Sequence, residues 1–479
     1  MCFRSLQARR RVRAVFPLIL VVASVTTRAV HAEPGSPPSA IPERTLRVVT
    51  LEEATAFARA HQPQVRAALA RVAARQAEAE IPRAQWLPVA GVTAQLFGAT
   101  ANNTTGTYVS PGGFMDIPRI GGTRSVRAGS WQPYPSTFVG AGATQELFDF
   151  GRIAARAAAS DALIDVERQR AQSQVLDVTF DVEESYFAVF AAKAIVKASN
   201  DAFDRSRAHR DLAKAGVDAG LRPPIELTRA EADLAHFDIG RIKARGALAV
   251  AQTVLAATVG VADEALDVAA APPSLSEMPA LATAIQRASA QDPRLREAFA
   301  RLKAQEENTR AVGAEMRPDV SLTATISGRA GGATPSGNGE SPTGDGWLPG
   351  VPNWNVGALL SWPLFDGTVS ARKDASRAAE QVRHEEIAVV RHEQSAAVRQ
   401  AYGTVDVARA TLPGLSRAVD AGRANYLQAD ARFKAGIGTS VELADAEAIR
   451  TGAEIQLALG EFELARARAT FGRTIAEGL

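Results

Sequence analysis

The sequence predicts a mostly α chain with a small β part, built from two copies of one unit: helix, strand, strand, long helix, helix. Three observations carry this. The same landmarks recur in the same order at offsets of 216 to 230 residues. Each copy holds one very long helical stretch, 150–218 and 367–434. Short alternating strands lie before each of these, joined by segments rich in Gly, Pro, Ser, Thr and Asn.

Residues 1–32 carry Arg4, Arg9, Arg10, Arg11, Arg13 and Arg28 without an acid, then the apolar run AVFPLILVVASV (14–25) and the small-residue stretch VHA (30–32). This is the pattern of a secretory signal cut after Ala32. Its apolar run is too short to span a membrane. Cys2 is the only cysteine and precedes that run, so the exported chain has no thiol to acylate, oxidise or place on a metal. Of 54 basic residues, 48 remain once these six arginines are removed, against 52 acidic ones, and nothing points to nucleic acid. No later run reaches 18 apolar residues, so no transmembrane helix is expected. An exported chain of this kind is periplasmic, secreted, or an outer-membrane barrel.

After an N-terminal linker (33–49), the first copy covers 50–262. A linker (263–280) leads to the second, 281–479. LEEATAFARAHQPQVRAALARVAA (51–74) aligns with LATAIQRASAQDPRLREAFARLKA (281–304), so that Pro63 matches Pro293 and Arg66 matches Arg296. Thr50 followed by Glu53 is a capping box that starts the first helix, 51–85, with Pro82 kinking its last turn. Residues 150–218 contain no proline, and Val175, Val182, Val189, Val196 and Phe203 recur every seventh position. Val178, Tyr186 and Phe190 widen that stripe, a coiled-coil pattern. A further helix covers 225–260. The second copy gives 281–316, 367–434, with a kink at Pro413-Gly414, and 441–474. Each long helix would run about 100 Å. In each copy the two shorter helices together match its length, the proportions of a tall cylinder wall.

DVSLTATIS (319–327) sets Val320, Leu322, Ala324 and Ile326 on one face and Ser321, Thr323, Thr325 and Ser327 on the other. WNVGALLSW (354–362) carries Trp354 and Trp362 at its ends. Alternation over nine residues with terminal tryptophans is the signature of an outer-membrane strand, which makes Val320, Leu322, Ala324, Ile326, Trp354 and Trp362 the lipid-facing set. The strands near 89–98 and 137–147 are weaker versions. The joining segments 99–136 and 330–353 read as exposed loops. Four strands cannot close a barrel, and an open edge in lipid leaves each unpaired N–H and C=O at a cost of several kcal/mol. The chain must therefore borrow strands from copies of itself.

AGLRPPIELTRAEA (219–232) returns as AGIGTSVELADAEA (435–448), with seven of fourteen positions identical. Gly220, Gly436 and Gly438 are expected to make the reversals by reaching positive φ. Pro223 and Pro224 stiffen the first turn and start its helix. These turns, 219–224 and 435–440, with the LFDFG (147–151) and LFDGT (364–368) junctions and the duplicated LEEA opening, resemble the TolC-like outer-membrane efflux family over nearly all of 50–475. The resemblance implies a homotrimer: a 12-stranded barrel in the outer membrane of a Gram-negative bacterium, on a long periplasmic α-helical tunnel. It implies an exit duct for an inner-membrane transporter joined by a periplasmic adaptor protein. Gly220, Pro223, Pro224, Gly436 and Gly438 would form the docking tips, and Glu226, Glu442 and Asp445 a pore constriction. The family's gate arginine and tyrosine are Gly438 and Phe433 here, so its particular lock is not carried over. Drug efflux, metal efflux and type I protein secretion all stay open.

Other motifs carry less. From spacing alone, Glu442 and Asp445 are ordinary carboxylates at a helix start. His384 and His392 stand eight apart, against the four a helical metal site wants. DFG (149–151) lacks the rest of a kinase signature. NNTT (102–105) and SGNGE (336–340) read as polar loop. No nucleophile and base constellation appears, so no enzyme activity, metal or cofactor is expected. The alternative is a periplasmic coiled-coil adaptor, but such a protein needs lipoyl-like and β-rich flanks around a single hairpin.

Overall fold

The computed structural model describes residues 47–99, 134–261, 266–269, 278–331 and 353–477. The signal segment, most of both linkers, NNTT and SGNGE lie outside these residues. In chain order the elements are β1 (Arg47–Val49), α1 (Leu51–His61), α2 (Pro63–Ala84), β2 (Val89–Ala99), β3 (Tyr134–Phe148), α3 (Arg152–Asp218), α4 (Pro224–Val259), β4 (Leu266–Val268), α5 (Leu281–Gln291), α6 (Pro293–Ala314), β5 (Asp319–Gly331), β6 (Asn353–Ser361), α7 (Gly367–Lys434) and α8 (Ser440–Thr474). The duplication holds element by element. The capping box forms as expected: Glu53 N–H donates to Thr50 Oγ1 at 3.2 Å, and Thr50 N–H donates to Glu53 Oε2 at 3.1 Å.

The opening helix of each copy is two helices rather than one. Gln62 and Asp292 leave helical geometry, with ψ of 126° and 118°, and Pro63 and Pro293 then begin α2 and α6. A proline disfavours α geometry in the residue before it and suits the first helical position, so the matched prolines set the break. Gln62 is not wasted there: its amide donates to the carbonyls of Ala257 and Thr258 at 3.2 and 2.9 Å, closing the end of α4. Pro82 falls inside α2, and Pro413 inside α7, which runs unbroken for 68 residues. Strands exceed expectation at β3 and β5, while β6 stops at Ser361, leaving Trp362 just beyond it.

β2, β3, β5 and β6 form one antiparallel sheet in that order. A row across all four strands reads Val92, Ala141, Ile326, Trp354, and a parallel row reads Ala90, Ala143, Ala324, Val356. The intervening row reads Gly91, Gly142, Thr325, Asn355. Direct cross-strand partners share a face, so one side is apolar and the other polar. Ser321 and Thr325 are buried on the polar side, whereas Leu322 and Ile326 stand exposed on the other. All four helices that adjoin this sheet, α2, α3, α6 and α7, join it at one rim.

The heptad stripe of α3 is the core of the first copy. Val178, Val182, Tyr186 and Val189 are almost wholly buried against Ala54 and Ala58 of α1, Val65 of α2 and Leu255 and Val259 of α4. Val398 and Val405, at the positions of Val182 and Val189, do the same in the second copy with Phe471 and Ile475. Both stretches read as linkers contribute to the first core: β1 and β4 pair in parallel, burying Val49, Leu266 and Val268. Three-residue strands give no alternation to read, so this pairing is a tertiary decision. Along its length α3 packs on α2, α4, α6 and α8, while α7 packs on α6 and α8. α4 is long and apolar enough by composition to be a candidate for crossing a membrane, although it holds no unbroken run of 18 apolar residues. Its alanine-rich surface is mostly unburied, with Ile239, Ile242 and Val250 exposed.

Candidate functional site

The paired turns between α3 and α4 and between α7 and α8 are the most information-rich part of the helical region. Both reversals use one device. Gly220 has φ 71° and Gly436 φ 76°. The N–H of Leu221 returns to the carbonyl of Gly216 at 2.9 Å, and that of Ile437 to the carbonyl of Arg432 at 3.1 Å. These are Schellman closures, which satisfy the last carbonyls of each helix. Gly438 serves differently from expectation, because its φ is not in the left-handed region. A Cβ there would lie 2.9 Å from the Phe433 backbone nitrogen and 3.0 Å from the Arg432 carbonyl carbon, so close approach excludes a side chain. Pro223 caps α4 in extended geometry and Pro224 opens it. Thr439 caps α8 by accepting from the N–H of Glu442 at 3.2 Å.

The two hairpins meet over Ala213, Ala230, Ala429, Phe433, Leu443 and Ala446. Ala213 and Ala429 are matched positions of the two copies, as are Ala230 and Ala446. Phe433 is the largest member and is fully buried. One face of its ring carries the Arg222 guanidinium at 3.7 Å, and His209 meets it edge-on at 4.6 Å. Arg222 also donates to Glu226 at 2.6 Å and to the Phe433 carbonyl at 2.5 Å. A single side chain of the first turn thus holds the end of α7 in the second copy. His209 is buried among Asp233 and Glu226 of α4, Asp430 of α7, Ser440 of α8, and Arg222. Burial, the largest influence, holds its imidazole below the usual histidine range. Deeper in the seam, Arg205 of α3 pairs with the buried Glu447 of α8 through two hydrogen bonds of 2.8 and 2.7 Å.

The residues singled out from sequence fall into two groups. Glu226 is largely buried and engaged by Arg222 within its own hairpin. Glu442 and Asp445 share the exposed start of α8, where Glu442 lies 3.6 Å from Arg432. Arg222, His209 and the Arg205 and Glu447 pair are not among them. The four-residue spacing of Arg222 and Glu226 is visible in sequence, with Arg222 in the turn and Glu226 in the first turn of α4, but nothing local points Arg222 at Phe433. Each turn also presents two exposed aliphatic side chains at matched positions. Leu221 is 83% exposed and Ile437 72%, with Ile225 and Val441 beside them.

The comparisons agree with this architecture. The model of the outer membrane efflux protein family matches residues 56–261 and 284–475, one segment for each copy. The outer-membrane channel OprN is 22% identical, over 94% of this chain and 99% of that one, with a TM-score of 0.67. The Campylobacter jejuni CmeC outer membrane channel is 14% identical over 94% of each chain, with a TM-score of 0.70. The Neisseria gonorrhoeae MtrE outer membrane channel, solved in its open state, is 20% identical over 90% and 89%, with a TM-score of 0.63. No curated protein matches. With its two copies each matched from the opening helix to the last, the chain belongs to the outer membrane efflux protein family.

Proposed function

We propose that three copies of this chain close into a 12-stranded barrel continued by a tunnel of helices, a passive exit duct from an inner-membrane transporter across the outer membrane. The observation that carries this is the pair of sheet edges, β2 and β6, which no other strand among the described residues covers. Backbone groups on such edges have no partner in lipid, and closure removes them. Two copies would give eight strands, whose interior is just wide enough for side chains to fill, whereas twelve leave a duct. The helices support the same count. At either level a chain supplies four helices in a row, ending in α2 or α4 on one side and α7 on the other. Both ends expose apolar side chains, Leu69 and Ile81 on α2 and Val382, Val389 and Val407 on α7. Unboiled protein is expected to migrate as a trimer on a denaturing gel and to collapse to monomer on heating. Monomer before heating, after mild extraction, contradicts the closed assembly.

A periplasmic adaptor protein docks at the tips in this reading. Leu221, Ile225, Ile437 and Val441 offer it the same apolar pair twice per chain, on turns fixed by Gly220, Pro223, Pro224, Gly436 and Gly438. Leu221→Asp with Ile437→Asp is expected to abolish efflux while the trimer stays in the membrane. Normal efflux from that variant, where a deletion strain is sensitive, would count against docking there.

Glu442 and Asp445 form the periplasmic constriction in the same reading, gathered threefold by the trimer. Two carboxylates about 7 Å apart repel by about 2 kcal/mol at an effective dielectric near 20, so closure favours bound cations. Conductance in planar bilayers is expected to prefer cations and to be blocked by multivalent ones from the periplasmic side. Glu442→Gln with Asp445→Asn should remove both properties. If both persist, the two residues only start a helix. Glu226, already held by Arg222, belongs to the lock of the tip rather than to its free charge.

A further inference from the structure

In sequence the LFD junctions mark only the places where strand passes to helix, and the first of them does more. β3 ends in a bulge between Glu146 and Phe148, which pairs Phe148 with Val320. A bulge adds one residue to one strand and re-aims the chain beyond it. Here it sets Phe148 beside Val320, at the helical end of the sheet. Phe150 comes next but one at φ 51°, a left-handed conformation costly for a bulky residue, and its ring packs edge-on against Phe148 at 4.6 Å. Both rings remain about half exposed. Asp149 holds the turn by accepting from the N–H groups of Gly151 and Ile153 at 3.0 and 2.5 Å. Arg317, exposed between α6 and β5, donates to the Phe150 carbonyl at 2.9 Å. It makes no ion pair among the described residues.

The duplication shows what is special here. The second junction exposes Leu364 and Phe365 at the positions of Leu147 and Phe148; Asp366 caps α7, and the matched Asp149 accepts from Gly151 and Ile153 at the start of α3. At the position of Phe150 the second copy has Gly367, and at the position of Arg317 the first copy has Leu87. The two departures from the repeat touch one another. A strained aromatic and an arginine without an ion-pair partner among the described residues are thus joined at the helical end of an apolar sheet face.

We infer that Phe148, Phe150 and Arg317 form a docking site for an anionic phospholipid of the leaflet at the helical end of the sheet. Acyl chains would lie on the apolar face and the two rings at its boundary, the level at which outer-membrane barrels carry girdles of aromatic side chains. Arg317 would take the phosphate, which a guanidinium recognises with paired donors. In a closed barrel a second copy would pair at β2 and β6 and not along β3, whose two edges are already taken. The inference rests on the reading of the sheet as membrane-spanning.

The test uses the full-length assembly in mild detergent, with lipid binding followed by native mass spectrometry and melting temperature. Phosphatidylglycerol is expected to bind about tenfold more tightly than phosphatidylcholine, and Arg317→Ala to remove that preference. Phe150→Gly, which releases the left-handed strain, is expected to keep or raise the melting temperature in detergent alone while weakening phosphatidylglycerol binding. Equal affinity of the wild type for the two lipids overturns the site, as does full displacement of phosphatidylglycerol by millimolar inorganic phosphate. Those two arms need no variant to fold. Protein that does not insert into vesicles of either lipid overturns the membrane reading as well. Protein that inserts but shows no headgroup preference overturns this inference alone.

Discussion

Leu322→Arg is expected to cost barrel stability, by up to about 2–4 kcal/mol if it lies near the bilayer midplane and less toward the helical rim, while Thr323→Arg, one residue on, is tolerated. The contrast comes from register. Leu322 pairs with Gln145 and Ala358 and is exposed on the apolar face, in step with the rows through Ile326 and Ala324. Thr323 lies on the opposite face, between Thr144 and Gly357. A guanidinium at 322 must leave water for hydrocarbon, whereas one at 323 enters the solvated lumen of a closed barrel. Urea unfolding of the two variants in vesicles measures the difference. Equal loss at both positions would mean that this face of the sheet is not the lipid face.

Arg222→Ala is expected to destabilise the tip by about 2–3 kcal/mol, because it leaves the Glu226 carboxylate largely buried without its hydrogen-bonded partner. It also strips the cation from the Phe433 ring and frees the carbonyl at the end of α7. The turn between α7 and α8 then loses its tie to the first hairpin, and conductance through the periplasmic mouth should rise. Arg222→Lys is not expected to rescue it, since an ammonium cannot both stack flat on the ring and reach two separate oxygens. Wild-type conductance and melting temperature in Arg222→Ala would show that the contact is incidental. A double-mutant cycle with Glu226→Ala separates the ion pair from the ring contact.

Much of the fold is legible because it is periodic. Val175, Val182 and Val189 announce a buried helical stripe, and Val182 and Val189 are indeed fully buried. Ser321, Thr323 and Thr325 announce one face of a strand, and the ladder places them together. Duplication doubles each of these signals, since a landmark at Pro63 has its counterpart at Pro293. The departures from expectation have local causes. The prolines that mark the repeat also break the opening helices, and Gly438 supplies space where a glycine in a turn suggests a backbone angle.

By itself the sequence determined where helices and strands run, how they end, and that one unit occurs twice. Those properties depend on neighbours within a few residues, through the 3.6- and 2-residue periods and the caps. Only the tertiary structure decided the contacts that make the tip and the junction specific. Arg222 reaches a carbonyl 211 positions away, and Arg317 one 167 positions away. Val49 finds Val268 across the whole first copy. Such pairs have no period. They arise when rigid helices of fixed length bring distant residues to the same height, and a side chain there takes whichever partner the packing leaves unsatisfied.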